Sequence, residues 1–570
     1  MKMRPLLTIH LVTCVLVLTR LEAFAAAPPP EETALVGLLP EKVVEMALVP
    51  RFSEAWETEA AAEVRATAAA TPSDSGVAAH AEDFRERFGL DPARLAETHP
   101  SLVLRARIAV PDQPLQGVMI GRMTDRDSAE RLLAATRGAL EERGANATPL
   151  DLAGITGTKY TWPDRSEAVR AIIHATVNDL VICATDASLA AALVENATKG
   201  AEEEGGQLVG WDFITSHITL PCSRQQPSLL WYSDPAGIVE ASNREDGERY
   251  AWMERHGLTG IQAVGGLVTV KPEGGLLAQT VIAAPEPRQS SLRMLRLIAA
   301  TELDAPDWLC QNYDELVLLH GDVPEAFEHI GKTFDELYAD GIAGTYEAIL
   351  QDLGDEAGLD IDLKSALYHY LGPQVLLLRH EADEQADGGK GPVTYAFQTS
   401  RPAQVAQAVR TLLADDPEVR SVSVPDCQYP LWVISGGPGQ PDSAAIVTRG
   451  YLVYAADVAT LRQALAVEPG EGRGLSTRAT EFQQGVPSLA ERQPCLLWAR
   501  DGKQGDSTKT AAKKSSITRV FLSGTGPPPP DESAGGGDFS DLVSRFLPLL
   551  QEFSLGLGFV EEDGWSLLTR

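Results

Sequence analysis

The sequence predicts an α+β protein built from two tandem similar units, each a mainly antiparallel sheet with helices packed on one face. Three observations predict it. Apolar runs of strand length are joined by short polar loops such as Val110-Pro111-Asp112-Gln113-Pro114, too short for the crossover a parallel pair requires. Helical stretches carry a single apolar stripe, as in Val405, Val409, Leu412 and Leu413. Finally, a set of landmarks occurs twice in the same order, the mark of an internal repeat.

The elements follow in chain order. Lys2 and Arg4 precede an apolar run from Leu6 to Leu18, and Ala23-Phe24-Ala25 supplies small residues around a cleavage point, so residues 1–25 read as an export signal. The run is shorter than the roughly 20 residues a permanent span needs. No later stretch reaches 18 consecutive apolar residues, so no stable membrane insertion is expected after cleavage. The first unit covers 30–288. It opens with a strand from Val43 to Val49 and a helix around Trp56, then strands Leu102 to Val110, Gly117 to Gly121, Thr158 to Trp162 and Val169 to Ala175 around a helix from Ser128 to Arg143. Thr124 and Asp127 form a capping-box-like start for that helix.

The strand-helix segment LVICATDASLAAAL from Leu180 matches LVYAADVATLRQAL from Leu452 without a gap, with Thr185 or Asp457 as N-cap. A hairpin, Ala263 to Val270 with Gly274 to Val281, closes the unit. Residues 289–300 form an amphipathic linker helix with Leu292, Leu295 and Ile298. The second unit covers 301–570: Glu315 to Leu319 leads to a helix around Phe327, and Leu555 to Val560 with Gly564 to Leu568 closes it. Spacing argues against coincidence. Gly89 to Trp162 is 73 positions and Gly358 to Trp432 is 74, while Trp162 to Trp231 is 69 and Trp432 to Trp498 is 66. Only the stretch at about 501–537 breaks the register, and its Pro, Gly, Ser and Lys content reads as a disordered insertion.

Charge and cysteine content narrow the function classes. The chain carries 48 Lys plus Arg against 80 Asp plus Glu, a net −32 that becomes −34 once Lys2, Arg4, Arg20 and Glu22 leave with the signal. A phosphate backbone needs cationic neutralisation, so nucleic acid is excluded as a partner. Cys14 leaves with the signal, and Cys183, Cys222, Cys310, Cys427 and Cys495 remain, too few for a stapled scaffold. No CxxC pair or metal-spaced Cys/His set occurs, which leaves structural zinc unsupported.

The signal, the acidic body and the duplicated LV…(D/T)…L…LLW unit resemble uncharacterised duplicated exported proteins of high-GC, planctomycete-type bacteria. Arg outnumbers Lys 36 to 12, in keeping with that source. The resemblance implies the two-unit architecture and brings no catalytic residues with it.

The chemistry-bearing motifs are few. G-x-S-x-G, the P-loop and HExxH are absent. Asp383, Gln385 and Asp387 before Gly388 resemble the opening of a calcium loop with a neutral third position, and they are the one metal site expected, a weak one for calcium. Asp352, Asp355, Glu356, Asp360 and Asp362 read as a solvated acidic turn. His174 and Cys183 lie in apolar strands and read as core. His99 and His369 precede strands in the two units but have unlike neighbours, and Trp231 and Trp498 end buried strands as core residues. No other cofactor is expected, and no catalytic residue is assigned.

The reading is therefore an exported soluble protein, periplasmic or extracellular, acting as a non-enzymatic binding or structural module for a protein or glycan partner. The alternative is an extracytoplasmic hydrolase with its site at the interface of the two units.

Overall fold

The structure, a computed structural model, describes residues 34–40, 42–57, 84–110, 113–163, 171–199, 208–218, 228–242, 247–270, 276–300, 306, 313–338, 342–356, 367–380, 392–414, 416–425, 427–436, 441–465, 471–484, 492–500, 555–561 and 563–569. The export signal, the stretch at 501–537, Asp360, Asp362 and the calcium candidates Asp383, Gln385 and Asp387 lie outside the described residues.

The first half contributes β1 (Val43–Pro50), β2 (Leu102–Ile108), β3 (Gln116–Arg122), β4 (Asn146–Leu152), β5 (Ile155–Thr161), β6 (Ile172–Val177), β7 (Leu180–Ala184), β8 (Ser228–Ser233), β9 (Ala263–Val270) and β10 (Leu276–Ala283). The second contributes β11 (Tyr313–His320), β12 (Leu371–His380), β13 (Val393–Thr399), β14 (Val419–Val422), β15 (Leu431–Ile434), β16 (Ser443–Thr448), β17 (Tyr451–Ala455), β18 (Pro494–Arg500), β19 (Leu555–Glu561) and β20 (Gly564–Thr569). All are joined edge to edge by antiparallel pairing into one sheet. Its neighbour order is β4-β5-β6-β7-β3-β2-β1-β8-β9-β10 and then β20-β19-β18-β11-β12-β13-β17-β16-β15-β14. β10 and β20 meet at the centre, with Ala278 opposite Thr569 and Ala283 opposite Gly564.

Helices α1 (Phe52–Glu57), α2 (Pro92–Glu97), α3 (Arg126–Glu142), α4 (Ala187–Lys199), α5 (Trp211–Ser216), α6 (Pro235–Ser242) and α7 (Glu248–Arg255) belong to the first half. α8 (Val323–Tyr338), α9 (Thr345–Glu356), α10 (Pro402–Leu412), α11 (Val458–Leu465) and α12 (Glu471–Gln484) belong to the second. They cover both faces of the sheet, not one as expected. Along β1, Ala47 and Val49 enter one apolar cluster with Leu132 of α3, and Met46 and Leu48 enter another with Leu193 of α4. The reason is legible in burial: β1, β7, β16 and β17 are buried at nearly every position, and a strand apolar on both sides must be covered on both sides. Continuous runs such as Leu180-Val181-Ile182-Cys183 carry that signal, whereas a one-faced sheet would alternate.

Three local expectations change. The linker is a 3-10 turn at Ser290–Leu295 rather than a helix to residue 300, and Leu297 then bridges to Gly321. The cap of α4 is Asp186, whose carboxylate accepts Leu189 N–H at 3.0 Å; Thr185 instead accepts Gly117 N–H. At α3 the N-cap is Asp125, accepting Ser128 N–H at 2.7 Å, so the Thr124 and Asp127 box is not formed. The outer strands are β4, which carries Pro149, and the four-residue β14 with Arg420, both suited to an open edge.

Candidate functional site

Charged side chains enter a covered sheet face only when paired. In β1 a bulge between Val43 and Glu45 sets Glu45 on the same face as Ala47 and opposite Arg107 of β2. Arg107 Nη1 donates to Glu45 Oε2 at 3.0 Å, and Glu45 is only 3% exposed. Ala47 lies opposite Trp231 of β8. β11 repeats this arrangement: a bulge between Tyr313 and Glu315, Glu315 opposite Arg379 of β12, and Val317 opposite Trp498 of β18. Arg379 Nε donates to Glu315 Oε2 at 3.4 Å, and Trp498 Nε1–H donates to Oε1 at 3.1 Å. Sequence reading misses both sets, because each gathers residues from three strands far apart in the chain. The one available signal is a Glu at the third position of each opening strand.

A second polar cluster lies at the central β10–β20 junction. Glu561, at the end of β19, accepts a hydrogen bond from Arg492 Nη2 at 2.7 Å and another from the Ser566 hydroxyl of β20. His217, just beyond α5, presents Nε2 to Glu561 Oε2 at 3.8 Å. Its Nδ1 is 2.8 Å from Phe213 O, which can only accept, so Nδ1 carries the proton. The Ser216 hydroxyl donates to the same carbonyl at 2.9 Å. The Arg492 guanidinium also lies over the Phe559 ring at 5.0 Å. Here side chains from the two halves meet, and a histidine, a carboxylate and two hydroxyls are in proximity. The geometry favours clamping over catalysis: Glu561 is occupied by Arg492 and Ser566, the ring nitrogen 3.1 Å from the Ser216 hydroxyl is Nδ1, which already donates to Phe213 O, and the lone-pair nitrogen Nε2 faces Glu561 instead.

The residues singled out by sequence are dispersed. His174 is 2% exposed in β6, and its Nε2 lies 2.7 Å from Phe88 O. Burial pushes its pKa down to about 4, against the opposing effect of the Phe88 carbonyl. Burial holds the Cys183 thiol well above its usual range and pushes Cys495 up to about 12, so both stay protonated as thiols. His99 and His369 are exposed and lie apart, His99 in a loop before β2 and His369 in a 3-10 turn at Tyr368–Tyr370. Trp231 and Trp498 are each 3% exposed and lie in the core. His380, which opens a His380-Glu381 pair lacking the second histidine of HExxH, is 3% exposed, bonds Thr394 Oγ1 through Nε2 at 2.9 Å, and is pushed by burial down to about 4. Among the described residues no three His, Cys, Asp or Glu converge on a point.

Comparison with protein-family models, with curated proteins and with solved structures finds no match. Among the described residues no helix is long and apolar enough to cross a membrane.

Proposed function

We propose that the chain is an exported, non-enzymatic binding or structural module made of two like units joined edge to edge. Read outward from the β10–β20 pair, each half presents its tenth, ninth, eighth, first, second, third, seventh, sixth, fifth and fourth strand. The observation that carries the reading is the recurrence of one polar constellation at the same register. Glu45–Arg107 beside Trp231 and Glu315–Arg379 beside Trp498 are neutralised pairs within a scaffold. What the halves share in polar chemistry is therefore support for a surface, and a protein or glycan partner would meet the exposed loops that differ between them.

A second reading, an extracytoplasmic hydrolase, rests on His217 and Glu561 facing each other across the junction. One experiment separates the two. Mature protein is assayed against chromogenic ester, glycoside and peptide substrates and, in parallel, immobilised against the exported fraction and a glycan array. Stoichiometric, saturable capture of one partner, kept in His217→Ala, supports the module. Turnover that disappears in both His217→Ala and Glu561→Gln would replace it with the hydrolase.

A further inference from the structure

We propose that Met119, Cys183 and His174 form a binding site for one copper(I) ion in the first half of the sheet. This goes beyond the binding-module reading and stands on separate observations. The three residues occupy neighbouring strands in direct register: Met119 of β3 is opposite Cys183 of β7, and Cys183 is opposite His174 of β6. Directly opposite residues of an antiparallel pair share a face, with Cβ atoms roughly 4.5–5.5 Å apart. A thioether, a thiol and an imidazole are thus set in one row, with the thiol in the middle. All three are buried, at 0%, 0% and 2% exposure.

The imidazole is arranged as a ligand. Nε2 lies 2.7 Å from the Phe88 carbonyl, so it carries the proton and Nδ1 has the lone pair. Nδ1 is fully buried and has no hydrogen-bond partner. Anchoring one ring nitrogen on a backbone carbonyl while the other is left for the metal is the usual outer-shell arrangement of a ligating histidine. The Tyr160 ring, 5.0 Å away and edge-on, further fixes the imidazole plane.

The donor set selects the ion. Thioether and thiolate sulfur are soft, and with one imidazole they suit copper(I), which accepts three ligands without water; calcium and magnesium require oxygen. Phe84, Phe88, Met123 and Leu132 belong to the same apolar cluster and keep the site dry. Binding converts the Cys183 thiol to a thiolate: the S–H bond breaks, its proton passes to solvent, an S–Cu bond forms, and copper remains in the +1 state. The corresponding row of the second half reads Tyr395, Tyr454 and Ala445, so the site is specific to the first half.

The test is anaerobic titration of the mature protein with copper(I) against a chromophoric chelator. One equivalent is expected to be withdrawn from the chelator, with X-ray absorption showing two sulfur ligands and one nitrogen. Cys183→Ser should weaken retention at least about 100-fold, since losing a ligand exceeds the 10–100-fold effect typical of outer partners. The volume-conserving Met119→Leu keeps the core filled and should weaken it by roughly 10-fold, reading the site without unfolding it. Equal retention in Cys183→Ser would place the copper on other cysteines and overturn the proposal. So would failure to compete with the chelator, or absorption spectra lacking a nitrogen ligand.

Discussion

Glu45 and Glu315 hold the same place in their strands yet differ in exposure, 3% against 25% of the side chain, and this sets what each pair contributes. Removing one partner of a buried pair strands the other charge, at a cost of about 3–5 kcal/mol, whereas exposed pairs contribute about 0–1 kcal/mol. Glu45→Gln is therefore expected to lower stability by about 3 kcal/mol and Glu315→Gln by about 1 kcal/mol, measured by urea unfolding at neutral pH. Equal effects would show that burial does not govern the two pairs. His380 gives a pH-dependent counterpart. Its folded pKa of about 4 lies below the ordinary 6.5, so the unfolded chain binds the extra proton between those values. Stability is then full above pH 6.5 and falls as the pH drops toward 4, by about 3 kcal/mol at the ~1.4 kcal/mol carried by each pKa unit. His380→Asn keeps a donor for Thr394 and should flatten that part of the wild-type curve. At this scale little of the site was legible from sequence. Met119, Cys183 and His174, like Glu45, Arg107 and Trp231, are brought together only by strand order, and a residue's own neighbours do not report its cross-strand partners.

Elements were more legible, because a strand or helix is written in consecutive residues. The strands beginning at Val43, Leu102, Leu180, Ala263, Leu431 and Tyr451 all follow apolar runs in the chain, and α3 and α10 follow their apolar stripes. Register was not legible to the residue. The gapless match of Leu180 with Leu452 pairs Thr185 with Asp457, yet the two carboxylates that cap are Asp186 and Asp457. The match is one residue out, and a one-residue slip exchanges the faces of a strand. It set Cys183 against Ala455, whereas Cys183 shares its cluster with Tyr454. The caps give a direct check: Asp186→Ala and Asp457→Ala should each cost about 1 kcal/mol in thermal unfolding, the usual value for losing an N-cap acceptor. A loss confined to Asp457→Ala would restore the gapless register.

At the scale of the whole molecule, the net charge of −32 is borne by a chain whose described halves meet along a narrow central seam. The seam includes the six-residue β10–β20 pairing, the Arg288 guanidinium over the Trp565 ring at 4.3 Å, Ala284 N–H bonded to Asp563 O at 2.8 Å, and His217 Nε2 facing Glu561 Oε2 at 3.8 Å. Its backbone fit depends on Gly564. A Cβ there would lie 1.9 Å from the Ile282 carbonyl oxygen, a backbone atom that cannot move without opening the ladder. Each half carries tryptophan, Trp211, Trp231 and Trp252 in one and Trp432, Trp498 and Trp565 in the other, so fluorescence reports on both. Wild-type protein is expected to unfold in urea with coincident fluorescence and far-ultraviolet dichroism transitions, because the continuous ladder couples the halves. Gly564→Val should break the last pairs of the seam while leaving the pairings within each half in place, and the single transition should separate into two. If the variant instead unfolds in one step at a lower midpoint, the halves are coupled through more than the seam, and the two-unit reading loses its energetic basis.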